Sequence, residues 1–366
     1  ICRQLYCTGV AWHPLDYRVK SGIAAALVVF VIGTSVALND QPLARPDGAS
    51  GPSDVLRLGY FPNINHAPAV IGVGNGDFQD ALGSVRLEKM IFTAGPAAIE
   101  GLAADRIDCS YVGPNPAING YLSSEGSLLR VVSGVSSGGA VFVVREGAGI
   151  DSPDDFAGKK LSSPQLGNTQ DVALRNYLAG HGYDVQLIGG NPEILPAKPA
   201  DILTLMVKGD LDGAWVPEPW GARLEREGGA RLFLDERDLW DGGQFATALI
   251  VCRTDYIENN EETVKRLVEA HVSQTQWIND HQEEAIDAFN EHVADILGTG
   301  LDEEDLRVSM TRMEFTYDPL EETVVRSAEA AYSLGLLGEE EPDLSGMFDL
   351  AILDGVLQER GLAPVG

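Results

Sequence analysis

Positive charge is scarce in this sequence. Lys and Arg together number 26 of 366 residues against 55 Asp and Glu, a formal net charge of −29. So acidic a chain repels nucleic acid and anionic membrane surfaces at long range, which excludes both as partners held by charge. An anionic solute would have to be captured by local donors against the field of the whole molecule. The acid is spread along the chain in clusters no longer than "EEEPD", the pattern of a solvated surface and not of a tail.

Cysteine and histidine are almost as sparse. Four Cys and six His occur, and no spacing among them suits a metal ligand set. Past the first residues only Cys109 and Cys252 remain, each inside an apolar run of strand character ("IDCSYVG", "TALIVCRTD"). We read them as two buried free thiols and leave a disulfide open, because sequence does not supply pairing geometry. Nothing points to catalysis either. "SSGG" lacks the Gly-x-Ser-x-Gly of a nucleophile elbow, and no His stands with an acid partner. "GVGNG" ends a helix where a phosphate-binding loop would end a strand. The expectation is a protein with no metal, no cofactor and no enzymatic activity.

Long apolar runs are confined to one place. "SGIAAALVVFVIGTSVAL", Ser21 to Leu38, carries no charge and follows Arg18 and Lys20. A positive flank before an apolar core is the pattern of a secretory signal peptide or a single membrane anchor, which places the remainder outside the cytoplasm, in the periplasm or at the cell surface. Ser35, Val36 and Ala37 offer small residues for signal cleavage. An apolar run of about 17 residues is marginal for a span, so cleavage is favoured and an uncleaved anchor is the alternative. "NDQPLARPDGASGPSD" then reads as a linker, closing a segment 1–53.

From Asp54 the texture is repeated β-loop-α. "DVLRLGYF", "SVRLEKMIF", "IDCSYVG", "LLRVVSGV" and "AVFVVREG" are strand-like. "HAPAVIGVGNGDF", "AGPAAIEGLAAD" and "NPAINGYLS" are helical. A second series follows from "IDSPDDFAGKKLSSP", with strands at "YDVQLIG", "LDGAWVP" and "ARLFLD" and helices at "NTQDVALRNYLAGHG", "PADILTLMVKGD" and "EPWGARLEREGG". After "FATALIVCRTDYI" come helical stretches at 261–289, 303–315, 321–337 and 347–361. The pattern predicts an α/β protein of two lobes, 54–145 and 146–245, joined by crossing strands, with 246–366 returning to the first lobe as helices. A cleft between the lobes is then the place for a ligand.

The loops at the strand ends share a chemistry. "PNINHAP", "TAGP", "GPNP", "SSGG", "PQLGNTQ" and "PEPW" combine backbone-shaping Gly and Pro with neutral donors, mostly at helix starts whose unpaired N–H groups favour an anion. One such loop is ordinary turn composition. Six at the same end of successive strands argue for a binding site.

These loops resemble a known family, the extracytoplasmic solute-binding proteins of ABC importers for aliphatic sulfonates, nitrate and taurine. The resemblance rests on "LGYFPNINHAPAVIG", "AGPAAIEGLAADRIDCSYVGPNPAINGYL", "SSPQLGNTQDVALRNYL" and "GAWVPEPWGARL", in that order. It covers about half the chain and implies a type II periplasmic-binding-protein-like fold, with mixed sheets, flanking helices and a helical C-terminal part. It further implies a monomer that hands its solute to a membrane permease and ATPase. The implied ligand contacts are Asn65, His66, Asn115, Ser137, Gly138, Asn168, Thr169, Gln170, Glu218 and Trp220. None of the six loops carries Arg or Lys, so an anion would rest on neutral donors and helix ends. Glu218 has two readings, an ammonium partner for a taurine-like zwitterion or a helix-start residue facing solvent, and we favour the second. Proteins of the same fold bind or synthesise the thiamine pyrimidine, an alternative that would call for a cofactor lysine or a cysteine cluster absent from these loops.

Overall fold

A computed structural model describes residues 53–186 and 190–365, and the expected signal or anchor segment lies outside them. Most of the alternation read from sequence is observed, though the helix expected at 66–78 is two helices and the strand expected through Ile257 gives way to helix at Thr254. It runs β1 (Val55–Tyr60), α1 (Ala67–Gly74), α2 (Asp77–Leu82), β2 (Arg86–Ile91), α3 (Gly95–Ala103), β3 (Cys109–Val112), α4 (Pro114–Ser123), β4 (Leu129–Gly138) and β5 (Ala140–Arg145). The second series is β6 (Lys160–Ser162), α5 (Thr169–Gly180), β7 (Glu193–Ile194), α6 (Pro199–Lys208), β8 (Gly213–Pro217), α7 (Trp220–Glu227) and β9 (Ala230–Asp235). The chain then returns through β10 (Ala246–Arg253), α8 (Thr254–Asn259), α9 (Glu261–Asp280), α10 (Gln282–Leu297), α11 (Glu303–Thr311), β11 (Met313–Phe315), α12 (Glu321–Ser333) and α13 (Ala351–Glu359).

Two mixed sheets result. The first has the order β11-β4-β10-β3-β1-β2 and the second β7-β6-β8-β5-β9. The β-α-β parts pair in parallel (β1 with β2 and β3, β6 with β7 and β8), while β10 and β5 pair antiparallel with their neighbours. Central strands are apolar on both faces because helices cover both: every residue of β3 and β10 is buried. Edge strand β2 instead carries Arg86, Glu88 and Lys89, charges that blunt an exposed edge.

Sheet membership fixes where the chain crosses. β4 ends in the first sheet and β5 begins the second, with Gly138 and Gly139 between them at φ +75° and +71°, a left-handed turn that glycine adopts without strain. The crossing therefore precedes β5. The second crossing runs from β9 through residues 236–245 into β10.

Helices α9, α10 and α13 brace the first lobe. Val264, Leu267 and Val268 of α9, Phe289 of α10 and Leu353 of α13 share one core with Leu56, Leu58, Ile71 and Phe78. Their boundaries differ from the sequence expectation. The stretch 261–289 is two helices that break at His281, and 303–315 ends as a strand, β11, that pairs with β4. In both places the helical period continues past a point where the chain must change direction to stay on the core. The stretch 347–361 forms its helix only from Ala351. The strand expected at 183–189 reduces, in its described part, to one bridge between Asp184 and Asn191.

One expectation is overturned. Cys109 and Cys252 are not free thiols: they stand opposite each other in the antiparallel β3–β10 pair and form a disulfide, S–S 2.02 Å. The strands are 143 residues apart in sequence, so their adjacency is a product of topology that neither local run contains.

Candidate functional site

Strands β1, β2 and β3 of the first lobe and β6 and β8 of the second point their C-terminal ends at one another. Their loops enclose a cavity of about 40 Å³, lined by Phe61, Asn63, Asn65, His66, Thr93, Ala94, Gly95, Gly113, Pro164, Asn168, Thr169, Gln170, Pro199, Pro217 and Thr247. No charged side chain lines it. A single water needs roughly 10–15 Å³ on this scale, so the space suits a compact group of a few heavy atoms.

Among the helices that start at this cavity, α3, α4 and α5 have no side-chain cap. The N-cap residues are Ala94 for α3, Gly113 for α4 and Asn168 for α5. Alanine and glycine have nothing to cap with. The Asn168 amide instead donates to Gln170 Oε1, 3.3 Å away. Of the second- and third-position N–H groups that a cap would occupy, those of Ala97 in α3, Asn115 in α4 and Gln170 in α5 remain, because Pro96 and Pro116 have none and the Asp171 N–H bonds Asn168 O. Pro96, Pro114 and Pro116 occupy first-turn positions where a missing N–H costs little and the fixed φ favours helix.

The α5 start is held by a buried ion pair. Asp171 accepts from Ser163 Oγ at 2.7 Å, from the Gly167 N–H at 3.0 Å and from Arg175 Nε at 3.0 Å, and both charged groups are enclosed. Arg175 in turn donates to the carbonyls of Val185 and Gln186. The loop "PQLGNTQ" is thereby clamped at both ends, with Thr169 and Gln170 facing the cavity. Thr169 Oγ1 is buried without a protein partner.

On the opposite wall Asn65 donates Nδ2 to the carbonyls of Gly138 and Gly139, at 3.4 and 3.2 Å, which ties the first loop to the crossover. Its Oδ1 and His66 Nδ1 are buried and unpartnered. Burial lowers the His66 pKa to about 3, so the ring is neutral at physiological pH and serves as a polar wall, not a counter-charge. Thr247 comes from the returning strand β10 and donates to Gly138 O. Its run "FATALIVC" carries no signal distinguishing this residue from core.

The lobes meet closely across the cavity. A Cβ placed on Gly113 would lie 2.5 Å from Thr169 Oγ1, and one on Gly95 would lie 2.4 Å from Pro116 and 3.4 Å from Asn168 Oδ1. Trp220 of the second lobe donates Nε1 to Asn63 Oδ1 of the first at 3.3 Å.

Of the ten residues singled out from sequence, Asn65, His66, Asn168, Thr169 and Gln170 line this cavity. The other five lie beside it in different roles. Asn115 donates to Ser327 O of α12 at 3.2 Å, and Ser137 Oγ accepts the Phe245 N–H at 3.1 Å. Gly138 supplies the crossover carbonyl, and Trp220 bridges the lobes. Glu218 keeps the helix-start role of its second reading, accepting the Ala222 N–H in the first turn of α7, but it does not face solvent. It is fully buried, ion-paired to Arg312 at 2.8 Å and bonded to Ser309 and the Ala222 N–H. Burial pushes its pKa up, and the Arg312 guanidinium opposes that rise. Its carboxylate faces neither solvent nor solute, because α11 brings Arg312 across from 94 residues away. Asn63, Thr93 and Thr247 are cavity residues that sequence reasoning did not single out. The first two sit in loops it marked.

The family model of the NMT1-like family matches residues 49–294. A putative aliphatic sulfonates-binding protein of Bacillus subtilis is 25% identical over 256 residues, 67% of this chain and 72% of that protein. The taurine-binding periplasmic protein of Escherichia coli is 23% identical over 210 residues, 57% of this chain and 62% of that one, so that match spans less than two thirds of the relative. The alkanesulfonate-binding protein SsuA from Xanthomonas axonopodis pv. citri, solved bound to MOPS, superposes with a TM-score of 0.69 at 19% identity, over 82% of this chain and all of that one. At that identity the likeness establishes the fold.

Proposed function

The chain belongs to the NMT1-like family, and on that premise we propose that it is the solute-binding component of an ABC importer, capturing a small anionic or zwitterionic solute between its lobes. Aliphatic sulfonates, taurine and nitrate are the candidate solutes. The observation that carries the reading is the convergence of three uncapped helix starts on a cavity without a charged wall. Such a site holds an anion by dispersed N–H donors and desolvated dipoles, and it leaves no counter-ion to be displaced on release. The names of the relatives support the same class of solute.

Capture follows from the geometry by hinge closure. Donors come from both lobes, α3 and α4 on one side and α5 on the other, so a solute reaches all of them only when the lobes are together, and its differential affinity shifts the population to the closed form. The crossover at Gly138 and Gly139, held by Asn65 and Thr247, is the hinge. A permease then recognises the closed pair. The disulfide suits an oxidising compartment and supports the extracytoplasmic location expected from the apolar N-terminal run. Among the described residues no helix is long and apolar enough to cross a membrane.

A thermal-shift series with methanesulfonate, taurine, nitrate, sulfate and a thiamine pyrimidine tests the reading. A ligand at about 100 times its Kd stabilises the native state by about 2.7 kcal/mol, a readily measured rise in Tm. The expected result is a rise with at least one of the first three, reduced at least tenfold in apparent affinity by Asn168→Leu with the ligand-free Tm unchanged. A response to none of them overturns the proposal, and a response to the pyrimidine alone replaces it.

A further inference from the structure

The run "GVGNG", residues 72–76, ends α1 and turns the chain into α2. Its last three residues meet in one arrangement with His292 of α10. A Cβ on Gly74 would stand 2.2 Å from His292 Cγ, so glycine here is what lets the ring lie against the end of α1. From that seat His292 Nε2 is 2.7 Å from Asn75 Oδ1. The other end of the amide, Nδ2, donates to Asp77 Oδ2 at 3.5 Å, and a carboxylate accepts only from the NH2 side. The amide is thereby oriented with its oxygen toward the imidazole, and Nε2 is the protonated, donating nitrogen. Gly76 follows at φ +88°, with open space where a Cβ would be and, among the described residues, no hydrogen bond from its N–H. Asn75 is exposed to solvent.

We propose that Asn75 is a site of self-catalysed deamidation, promoted by His292. The Gly76 nitrogen attacks Asn75 Cγ while His292 Nε2–H donates to Oδ1, where negative charge develops. On collapse of the tetrahedral adduct that proton returns to His292, the Gly76 N–H proton passes through solvent to Nδ2, the Cγ–Nδ2 bond breaks and ammonia leaves. Water then opens the succinimide at either carbonyl and gives an aspartyl or an isoaspartyl linkage, with no change of oxidation state. Attack requires rotation about the Asn75 ψ, −18° in the structure, and Gly76 has no side chain to resist it. The new carboxylate faces His292. The isoaspartyl form adds a backbone atom at the corner between α1 and α2, which carry Ile71 and Phe78 into the core of the first lobe. Asn119 and Gly120 have the same dipeptide and none of this geometry. They lie inside α4, Gly120 is buried, and a Cβ on it would stand 2.7 Å from Ile99 Cγ2, so the helix and its packing oppose the rotation.

The test follows the purified protein through weeks at neutral pH by peptide mapping with mass spectrometry and an isoaspartyl assay, beside His292→Phe, which keeps a ring against Gly74 and has no donor. In the unmodified protein conversion at Asn75 is expected to outpace that at Asn119 by roughly tenfold or more, because only the first site brings the reacting groups within reach of each other. His292→Phe, shown by far-UV circular dichroism and Tm to be folded, is expected to slow it about tenfold, a modest effect for a positioned acid because the site is open to water. Conversion at Asn75 no faster than at Asn119 overturns the proposal, whatever the variant does. An unchanged rate in folded His292→Phe also overturns it, since the turn then reacts without the imidazole.

Discussion

Glu236 shows how one side chain makes stability depend on pH. It is 3% exposed in the lining of the cavity between α5 and α12, where it accepts from Trp215 Nε1 at 2.7 Å, and burial pushes its pKa up from 4.5 to about 7. The folded protein therefore holds this proton more tightly than the unfolded chain does. The resulting stability is fully present below pH 4.5 and is lost as pH rises through 7. The interval corresponds to about 3 kcal/mol. Glu236→Gln keeps an acceptor for Trp215 and removes the charge, so urea midpoints from pH 4.5 to 8.5 should lose most of their decline and the variant should be the more stable at pH 8. A decline of undiminished slope would assign it to other groups. His66 and His271 act in the opposite direction. Burial lowers them to about 3 and about 4, so their contribution is present above pH 6.5 and is lost in acid.

Among elements, the β3–β10 pair is the most informative. β10 lies between β3 and β4 in the first sheet and carries Thr247 to the crossover carbonyl at its other end. The Cys109–Cys252 bond thus ties the returning strand to the strand whose end forms the Gly113 helix start. It closes a loop spanning 143 positions, which limits the unfolded chain. Replacing both cysteines by Ala should lower stability by about 2–4 kcal/mol, read as a lower urea midpoint with a steeper slope, because the unfolded chain is no longer cross-linked. Because both residues are fully buried, reductant should leave the folded protein unaffected until it opens.

At the scale of the whole molecule, the proposed capture turns on how closely two lobes approach. Gly113 has φ −71° and ψ 159°, a conformation open to any residue, so Gly113→Ala introduces no backbone strain. Its only penalty is the new Cβ at 2.5 Å from Thr169 Oγ1 across the cleft. Overpacking a fitted contact costs about 1–3 kcal/mol. The ligand-free Tm should stay the same, affinity should fall about tenfold, and small-angle scattering with ligand should show a less compact particle than the unmodified protein. Unchanged affinity would mean that the closed form does not need this contact. Beyond the cleft α7 and α11 are joined by Arg312 with Glu218 and Glu225, and by Arg226 with Asp305.

The sequence by itself determined the alternation of strands and helices, the acidic surface and the loops that bear neutral donors, because each is written within ten or so neighbouring residues. The cavity-lining Asn65, His66, Asn168, Thr169 and Gln170 sit in such loops. What only tertiary structure decided is which distant pieces meet. Arg312 meets Glu218, Cys109 meets Cys252, and Thr247 of a core strand turns to the Gly138 carbonyl at the crossover. The break at His281 and the strand at Met313 belong to the same class, since local period yields there to the demand that the chain fold back on its core. Such contacts depend on the register and crossing of strands, and burial, not local preference, selects among the many pairings a single sequence would allow.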